Sequence, residues 1–442
     1  MFCPQKNSYL QLVCAMEPRV INKAVRRAMR KRQFDPHDEI PPAQRLESMQ
    51  PSLFGPCVDV TRARLGFGRL GLRIINREIN SEDSLIKLQA LHTLLDQVQI
   101  SEDAMFLINL NVVYRLIDLM LDPDPIVREK VLLILTRLAN FYQGRKRIMS
   151  RPVTIDRLIF MFMRDRKEIR YAAALLLKTL TRDRCACEVI MRNDKIVESL
   201  LKMIKNDHMG IVIYHINSLK NLAEWDPVKP LKANAFIVMR KLLSFQQYGL
   251  IQAAMDCMAQ LCKHSVGKKL ADNYDMTKVL LSYLMNPHIE VIIAAVGVMT
   301  YTTMTTRSKW RAKEFTYDLI KRLVNLCISH NIPVLQIRAM QVLINLCDCS
   351  DIRSHIKINW EQKIIKSIKI MTHEQWDGTS EATTFGLETG HNYRTMCIEN
   401  VETIKNDYGD NVKVVNVHSY LMRVREMKEQ LIKAINFKSY RN

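Results

Sequence analysis

The chain of 442 residues is 48% hydrophobic and 25% charged, which excludes a wholly disordered protein. Its 13 glycines and 14 prolines are too few for a collagen-like or low-complexity chain, and the composition favours helix over turn-rich β architectures. The formal net charge of +20 favours acidic partners, among them nucleic acid, an anionic membrane and an acidic protein surface such as a tubulin tail.

The first residues, MFCPQKNSYLQLVCAM, lack the basic region and apolar core of a signal peptide, and no apolar run is long enough to span a membrane. We therefore expect the 11 cysteines to be buried thiols in a reducing compartment. Cys185 with Cys187 and Cys347 with Cys349 are spaced more tightly than the paired ligands of zinc sites. Because the two pairs also lie far apart in the sequence, we expect no metal ion or other cofactor.

Residues 1–64 are predicted to form a basic, proline-containing arm, with a helix over 18–33. Its basic cluster comprises Arg26, Arg27, Arg30, Lys31 and Arg32. The prolines that follow, Pro41, Pro42, Pro51 and Pro56, stop helix propagation.

Residues 66–71, GFGRLG, contain the three glycines of a dinucleotide-binding loop. Such a loop must follow a β-strand, open a helix and precede a second strand that carries an acidic residue. The preceding segment, VDVTRARL, is a poor buried strand, and no second strand is evident. We therefore interpret the glycines as a flexible entrance to a helical region.

Downstream, apolar residues recur in a quartet that is spaced by four, four and three residues, which places them on one face of a helix. The quartets are Val127, Val131, Leu135 and Leu138; Ile169, Ala173, Leu177 and Leu180; Ile211, His215, Leu219 and Leu222; Leu250, Ala254, Met258 and Leu261; Val291, Ala295, Met299 and Thr302; and Leu335, Ala339, Leu343 and Leu346. A degraded copy stands upstream at Ile86, Ala90, Leu94 and Gln97.

The last quartet residues are 39 to 44 positions apart, and a helical period near 40 is typical of armadillo or HEAT units. One such unit cannot bury its apolar face alone, but stacked units share a continuous core. The sequence thus predicts an all-α, armadillo/HEAT-like right-handed superhelical solenoid of about seven repeats over residues 65–360. The small second residue of most quartets would let neighbouring helices approach closely.

Residues 361–442 are predicted to be a C-terminal helical extension. Within it, residues 374–415 are polar and turn-forming, with little periodicity. The segment HSYLMRVREMKEQLIKAIN then carries apolar residues at helical spacing, namely Leu421, Val424, Met427, Leu431 and Ile435. This pattern indicates an amphipathic helix that serves as a cap or a docking element.

The residue before the last quartet position is polar throughout, and in armadillo arrays this column faces the concave groove. The candidates for a protein-binding groove are Arg137, Thr179, Asn221, Gln260, Tyr301 and Asn345, with Asp96 in the degraded unit. An amide or hydroxyl there can hold the backbone of an extended peptide. The alternative is that these residues are simply the polar, solvated side of each helix.

No nucleophile, phosphate-loop or zinc-hydrolase motif occurs, and the histidines are scattered, so the sequence predicts neither an enzyme nor a small-molecule substrate. His215 occupies a core position, as a satisfied buried histidine would. Arg145, Lys146 and Arg147, with Lys268 and Lys269, are predicted to lie in turns between repeats. Without interleaved aromatic residues, these clusters suit acidic protein tails as well as nucleic acid, which we do not expect as a partner.

An import-adaptor-like function, as a soluble armadillo protein that binds peptide cargo, remains the alternative. The basic arm sequence RRAMRKR favours it. Import adaptors, however, pair each groove asparagine with a tryptophan one helical turn earlier, where this chain has Asn217 and Gln341. A net charge of +20 also suits basic cargo badly.

Residues 66–350 resemble the radial spoke head 14 family of armadillo-repeat axonemal proteins. The likeness lies in the Phe67-Gly68-Arg69 entrance, the Ser81-Glu82-Asp83 turn, the helix that begins its core face at Gln89-Ala90-Leu91, and the segment 265–299, which begins SVGKKLADNY. The arm and the last 70 or so residues lie outside it.

The resemblance implies a non-catalytic structural subunit of the ciliary radial spoke that supports ciliary or sperm-tail motility. It would reside in the cytoplasm, on the cytoskeleton of the cilium or flagellum axoneme. Its partners would be other radial spoke or axonemal proteins, with an acidic tubulin surface as a further candidate. No membrane partner is expected.

Overall fold

The computed structural model describes residues 69–328, 332–369, 401–405, 411–415 and 417–437, together with the single residues Lys23 and Ala63. Contacts divide the chain after Val60, and every element below lies in the unit Thr61–Asn442. Apart from those two single residues, the predicted arm, with its basic cluster and its helix over 18–33, lies outside the described residues.

The helices follow one another in sets that we number as repeats 1 to 7. Repeat 1 comprises α1 (Arg69–Glu78) and α2 (Ser84–Gln97). Repeats 2 to 4 comprise α3 (Ser101–Asn109), α4 (Val112–Leu119) and α5 (Pro125–Leu138); α6 (Tyr142–Met149), α7 (Val153–Arg164) and α8 (Lys167–Leu180); and α9 (Arg184–Met191), α10 (Lys195–Asn206) and α11 (Met209–Trp225).

Repeats 5 to 7 comprise α12 (Val228–Lys232), α13 (Ala235–Leu242) and α14 (Tyr248–Lys263); α15 (Ser265–Asn273), α16 (Met276–Tyr283) and α17 (Ile289–Thr302); and α18 (Thr306–Ala312), α19 (Thr316–Ile328) and α20 (Pro333–Cys347). A short 3-10 turn, Lys313–Phe315, precedes α19. We call the three helices of a repeat its first, second and third helix; α1 and α2 are the second and third helices of repeat 1. Three helices per repeat, with a period near 40, is the predicted armadillo-like architecture.

Local signals fix where several helices begin. Asp83 and Asp124 cap the third helices α2 and α5, because their carboxylates accept hydrogen bonds from the backbone N–H groups of Leu85 and Ile126. Asp83 also ends the Ser81-Glu82-Asp83 turn between α1 and α2. In repeats 2, 5 and 6 the second helix follows a residue with left-handed backbone, a conformation that asparagine and aspartate tolerate best. These residues are Asn111, Asn234 and Asp275.

The predicted quartets form the core of the array. All seven second quartet residues, from Ala90 to Ala339, are 0% exposed. In repeats 2 to 7 every quartet residue is at most 2% exposed. Only the degraded first quartet departs, since Ile86 is exposed and Gln97 is half-buried. The apolar period therefore identified the buried face of each third helix correctly.

The third helices pack side by side from α2 to α20, and the second helices α7, α10 and α13 contact one another in a parallel row. Buried residues from Leu72 to Ile435 belong to one continuous apolar cluster. No described helix is by itself long and apolar enough to cross a membrane; Ile289–Thr302 and Thr306–Ile328 reach that length and apolarity only as a pair bent by 120°.

Two predictions about loops are corrected. Arg69, Leu70 and Gly71 open α1, which leads to α2 without a strand, so the described part of GFGRLG starts a helix. The basic clusters 145–147 and 268–269 lie in the first helices α6 and α15 rather than in turns. Both clusters follow a glycine at a close crossing: a Cβ added at Gly144 or Gly267 would lie 2.0 Å from a backbone oxygen of the preceding third helix.

Beyond repeat 7, α21 (Ser350–Ser367) runs through position 360. An antiparallel hairpin follows, in which β1 (Val401–Lys405) pairs with β2 (Asn411–Val415), Val401 opposite Val415. The sequence analysis missed this hairpin. The predicted last helix is present as α22 (Val417–Ile435), and it packs against α20 and α21. It buries Val424, Met427, Leu431 and Ile435, while the side chain of Leu421 lies outside the described residues.

Candidate protein-binding groove

The candidate site lies on the side of the third helices opposite the quartets. We call this surface the groove face and define it by the residues one, two, five, eight and nine positions before the last quartet residue of each third helix. At 3.6 residues per turn these positions lie away from the quartet. In an armadillo-like superhelix the third helices line the concave side, where such arrays present an extended binding surface.

The six predicted groove residues differ in exposure. Arg137 is exposed, Asn221 and Tyr301 are half-buried, and Thr179, Gln260 and Asn345 are buried. The polar column is therefore exposed only in repeats 1 and 2, at Asp96 and Arg137, and is half-buried or buried in the later repeats. The Thr179 hydroxyl donates to the Leu175 carbonyl of its own helix. A role for these six residues in binding stays a prediction.

Two of the asparagines connect neighbouring repeats. The Asn221 amide donates to the Thr181 hydroxyl, 3.2 Å away, just beyond the end of α8. The Asn345 amide donates to the Thr300 carbonyl in α17 at 2.8 Å and to the Thr303 hydroxyl at 3.2 Å. Both amides thus reach the end of the preceding third helix, where they hold the repeats in register.

Asp256 and Gln260 lie one helical turn apart on the groove face of repeat 5 and are 4% and 0% exposed. Within the described residues, neither polar atom of the Gln260 side chain nor Oδ1 of Asp256 has a hydrogen-bond partner. Burial raises the pKa of the Asp256 carboxyl, and the nearby cations Lys220 and Arg338 oppose that shift. Buried polar atoms are rarely left without a partner, so this pair needs an explanation.

Arg338 in repeat 7 crosses the groove face of repeat 6 through a gap at Gly297. Its Nη1 donates to the Ile293 carbonyl at 2.7 Å. A Cβ on residue 297 would lie 2.5 Å from the same Nη1, so the wholly buried guanidinium can pass only where that side chain is absent. In this way a cation of repeat 7 acts electrostatically on Asp256 of repeat 5.

Three cations lie near one another in repeats 3 and 4, with Lys178 and Lys220 on the groove face and Arg182 just beyond the end of α8. Burial lowers the pKa of Lys178, and the positive charges of Arg182 and Lys220 lower it further. Burial likewise lowers the pKa of Lys220, whose Nζ donates to Oδ1 of Asn217 at 3.2 Å. We call Lys178, Arg182 and Lys220 the cationic cluster.

Two tyrosines adjoin the cationic cluster. The rings of Tyr171 and Tyr214 meet edge to face with centroids 5.3 Å apart, and their hydroxyl oxygens are 3.4 Å apart. Nζ of Lys178 lies 5.1 Å from the centroid of the Tyr214 ring. Burial, together with the hydrogen bond to Tyr171, raises the pKa of Tyr214 to about 12.

Sequence reasoning missed Lys178, Lys220, Asp256 and Arg338, although a signal was present. Residues 253–262, AAMDCMAQLC, are apolar except for Asp256 and Gln260. A helix that is apolar all round is a buried one, so polar residues one turn apart in such a helix mark a special position.

Thiol and histidine chemistry lies apart from the groove face. Cys187 is buried, its Sγ is 3.1 Å from the Thr181 carbonyl oxygen, and burial raises its pKa to about 12, so it is a poor nucleophile and metal ligand. No group of three or more potential ligands is close enough to hold a metal ion in the described part of the chain.

His215 is buried as expected, but its Nε2 lies 3.7 Å from Oδ2 of Asp207, and neither ring nitrogen has a described hydrogen-bond partner.

Comparison with known proteins bears on the fold. No protein-family model matches the chain. No curated protein matches it either. Among solved structures, two designed armadillo repeat proteins, YIII(Dq)4CqI and YIII(Dq.V1)4CPAF in complex with peptide (KR)4, are each 15% identical to this chain with a TM-score of 0.49, and each match covers 52% of this chain and 99% of the designed one.

An engineered protein, Northeast Structural Genomics Consortium target OR497, matches over a larger part of the chain. The match covers 84% of this chain and 89% of the engineered one, with a TM-score of 0.63 at 15% identity. That likeness is one of fold alone. Together with the three-helix repeats and their shared apolar spine, it establishes the repeat array as an all-α, armadillo-like solenoid.

Proposed function

We propose that this chain is a non-catalytic scaffold that binds an extended segment of a partner protein along its groove face. The observation that carries the proposal is the pair Asp256 and Gln260, buried on that face with polar atoms that have no hydrogen-bond partner among the described residues. Each such atom costs roughly 1 to 3 kcal/mol. Because these atoms are buried in the unbound chain, a bound chain must first displace the side chains that cover them. Hydrogen bonds from the bound chain to these atoms then recover that free energy and add to the affinity.

The spacing of the array suits an extended peptide. Neighbouring packed helices lie about 8 to 10 Å apart, which is close to the length of three residues of extended chain at about 3.3 Å each. Successive third helices can therefore present a polar side chain to every third residue or so of a bound strand. A primary amide such as that of Gln260 can donate to a peptide carbonyl and accept from a peptide N–H at once.

Replacing Gln260 by leucine separates a binding role from a structural one. Leucine has a similar volume and removes two unsatisfied polar atoms, so we expect Gln260→Leu to keep or raise the melting temperature while partner capture from a lysate of ciliated cells falls about tenfold. As the matched control, Asn345→Leu removes an amide that joins two repeats and should lower the melting temperature. A Gln260→Leu protein that is destabilised and still captures its partner would contradict the proposal.

Site-specific cross-linking locates the partner independently of affinity. A photoreactive amino acid at Gln252, half-buried on the groove face of repeat 5, should cross-link the captured protein. The same amino acid at Met285, which is 69% exposed in the turn between α16 and α17, should not. Cross-links from Met285 alone would place the partner on that edge of the array and remove the groove from the proposal.

We further propose that the scaffold serves in the radial spoke of the ciliary or flagellar axoneme, where its neighbours are other spoke proteins and acidic tubulin surfaces. The resemblance of residues 66–350 to the radial spoke head 14 family supports this setting. A continuous apolar spine also suits a stiff part that holds fixed neighbours at set spacings.

Retention on axonemes tests the cellular setting. A tagged chain expressed in ciliated cells should stay with axonemes after detergent extraction and appear along the cilium by microscopy. Release into the detergent-soluble fraction would contradict the axonemal role and favour the peptide-cargo adaptor. This result leaves the groove experiments unaffected, because they do not depend on location.

A further inference from the structure

We infer that the edge of the array where the second helices of repeats 3 to 5 end binds an acidic segment of a partner protein that also carries apolar side chains. Two sets of exposed residues lie there. The cations, which we call the basic edge, are Arg164, Arg166, Lys167, Lys205 and Lys241. The apolar residues are Phe160, Met209, Phe245 and Tyr248. None of them occupies a groove-face position, so the inference goes beyond the proposed function of the groove.

The packing of the second helices brings these residues to one edge. The helices α7, α10 and α13 contact one another in a parallel row, so their C-terminal ends lie on the same side of the array. Their last turns carry Arg164, Lys205 and Lys241. In each repeat a short connection then leads into the third helix, and Met209 and Tyr248 open α11 and α14. Cations and apolar side chains therefore share the edge of three neighbouring repeats.

Few carboxylates balance the basic edge. Asp165 already accepts hydrogen bonds from Arg128 on both carboxylate oxygens, each at 2.8 Å, and Arg166 adds to the positive field around it. Asp207 is likewise paired with an arginine of repeat 3. The only further carboxylate in these three connections is that of Glu168. The basic edge therefore has an excess of positive charge on an exposed surface, which attracts an acidic chain.

Helix stability alone does not explain the basic edge. A cation in the last turn of a helix is favourable, but the second helices α4, α16 and α19 carry none there. At the start of a helix a cation is unfavourable and aspartate is a good cap, as Asp124 is for α5. The cap of α8 is instead Arg166, which makes no side-chain capping hydrogen bond, and Lys167 follows it. Such a choice of residues is expected where charge is kept for binding.

The apolar residues offer contact area beside the cations. Tyr248 is 51% exposed and Met209, the most covered of them, is 37% exposed. Among the described residues no ring or cation contact involves Phe245, which is 42% exposed. Exposed apolar groups rimmed by polar residues are typical of protein contacts.

A protein segment fits this edge better than nucleic acid does. Single-stranded nucleic acid stacks its bases on successive open aromatic rings. Here the Arg164 guanidinium lies 5.6 Å from the Phe160 ring centroid, and the Tyr248 ring is stacked on His288 with centroids 4.4 Å apart. Repeat 4 offers Met209 in place of a ring. A peptide that combines carboxylates with aliphatic side chains matches both sets of residues.

Two labelled peptides of equal charge test the inference. The probes are fluorescein-labelled octaglutamate and the dodecapeptide (Glu-Glu-Leu)4, which carry the same number of glutamates. Binding to the full chain is measured by fluorescence anisotropy at 50 and 300 mM NaCl. We expect the dodecapeptide to bind about threefold tighter than octaglutamate because its leucines contact the apolar residues, and both to bind more weakly at the higher salt concentration.

Removing charge from the basic edge should weaken binding of both peptides. We expect the double variant Arg166→Gln with Lys167→Gln to weaken it about tenfold. The melting temperature should stay or rise, because a cation at the start of α8 is unfavourable. The charge-matched control is Lys278→Gln with Lys357→Gln, which alters exposed lysines on α16 and α21 and should weaken binding by less than about twofold.

Removing an apolar side chain should affect one peptide alone. We expect Phe245→Ser to weaken binding of the dodecapeptide about threefold and to leave octaglutamate binding unchanged. Ile358→Ser, at a residue of α21 that is 81% exposed, is the control and should change neither. Circular dichroism melting shows whether each variant keeps its fold. If the first double variant unfolds, Lys205→Gln with Lys241→Gln, in repeats 4 and 5, takes its place.

Four results would overturn the inference. Neither peptide binds the unaltered chain at 50 mM NaCl; or the two double variants lose binding equally, so that the peptides respond only to the overall charge of +20. A labelled dodecauridylate binds tighter than the dodecapeptide and is lost in the edge variant, which would assign the edge to nucleic acid. Vesicles containing phosphatidylserine sediment the chain and fail to do so with the edge variant, which would assign it to a membrane. The groove experiments use other residues and keep their own outcome in each case.

Discussion

One position of the third helix contacts the next repeat throughout the array, but the type of contact differs between the two halves. It is an ion pair between repeats 1 and 4 and an apolar contact between repeats 4 and 7. Ten residues before the last quartet residue, repeats 1 to 3 carry a basic residue that pairs with an aspartate in the second-to-third-helix turn of the next repeat. The pairs are Lys87 with Asp122, Arg128 with Asp165, and Arg170 with Asp207, at 3.0, 2.8 and 2.8 Å. Both arginines also donate to backbone carbonyls of their own turn.

In repeats 4 to 6 the same position is apolar and buried, as Val212, Ile251 and Ile292. The third helices there carry small residues on several sides, among them Ala253, Ala254, Ala294, Ala295 and Gly297. From Val291 to Thr300 every residue of α17 is buried. At this position of the third helix, close packing has replaced ion pairing in this half of the array.

The difference teaches how each half joins its repeats. In repeats 1 to 4, cations join one repeat to the next at a flank of the third helices. In repeats 4 to 6 that flank is apolar, and across the groove face Arg338 of repeat 7 donates to the Ile293 carbonyl of repeat 6. The amino-terminal interfaces should therefore respond to charge, and the carboxy-terminal ones to volume.

The largest effect is expected for Asp207→Ala. The Asp207 side chain is wholly buried and accepts hydrogen bonds from Nε and Nη2 of Arg170. Its removal leaves a poorly compensated cation and should cost about 3 to 5 kcal/mol in the free energy of unfolding. Urea denaturation measures this. Asp118→Ala removes an exposed partner of Arg151 and should cost less than about 1 kcal/mol. Similar losses in both variants would break the comparison.

A volume change should be felt most in the other half. Ala295→Leu enlarges a residue that is 0% exposed between closely packed helices and should cost about 1 to 3 kcal/mol. Val131→Leu adds one methylene at the same quartet position of repeat 2 and should cost less. Thermal unfolding of the two variants measures the difference, and a larger loss for Val131→Leu would mean that close packing is not special to the carboxy-terminal half.

Acid should weaken the ion-paired half selectively. Burial alone would raise the pKa of Asp207, but the side chains of His215 and Arg170 outweigh it and hold the pKa at about 2, below the ordinary 3.8. A depressed carboxyl pKa contributes stability that is present above pH 3.8 and is lost as the pH falls towards 2; for Asp207 this amounts to about 2 kcal/mol. The pKa of Asp165 is lowered too, by hydrogen bonds from Arg128 and the Arg166 backbone that outweigh its burial.

Urea unfolding at pH 6 and pH 3 measures the contribution of Asp207 ionisation to the free energy of unfolding, when the unaltered chain is compared with Asp207→Asn. The unaltered chain should lose about 1 to 2 kcal/mol more than the variant on acidification. Equal losses would show that Asp207 does not carry the pH dependence.

The smallest effect is expected from salt. The three ion pairs are mostly buried, so salt should screen them little. Raising NaCl from 0.05 to 1 M should lower the free energy of protection against amide hydrogen exchange by only about 0.5 kcal/mol in α5 and α8, and should not change it in α14 and α17. Hydrogen exchange read by mass spectrometry resolves the helices separately. A uniform change along the array would remove the distinction between the two halves.

The repeats could be predicted because burial leaves a period in the sequence, and the quartet from Val127 to Leu138 is visible without any structure. The ion pairs could not be predicted in this way, because Arg128 and Asp165 come into contact only when one repeat stacks on the next. A trace was nevertheless present: Asp122, Asp165 and Asp207 recur 43 and 42 residues apart, in step with the quartets.

The predicted groove residues do lie on the third helices, but their exposure differs from residue to residue. A polar residue beside an apolar anchor indicates a helix side, whereas burial depends on what lies against it; Gln260 and Asn345 are buried, and Arg137 is exposed. The hairpin was missed because residues 374–415 were judged as one polar segment. The alternating Val401, Thr403 and Val412, Val414 on either side of Asn406-Asp407-Tyr408-Gly409-Asp410 are the signal that could have found it.

The position of α22 has a consequence for assembly. It lies along α20 and α21, with Lys428 donating to the carbonyls of Ile365 and Ile368, and it covers an apolar surface that a further repeat would otherwise occupy. Its outward residues include Glu426, Glu429 and Lys433, which are exposed and charged. The last unit of a repeat array exposes an apolar face on which another copy of the array can stack. Here α22 covers that face, which disfavours head-to-tail polymerisation at this end.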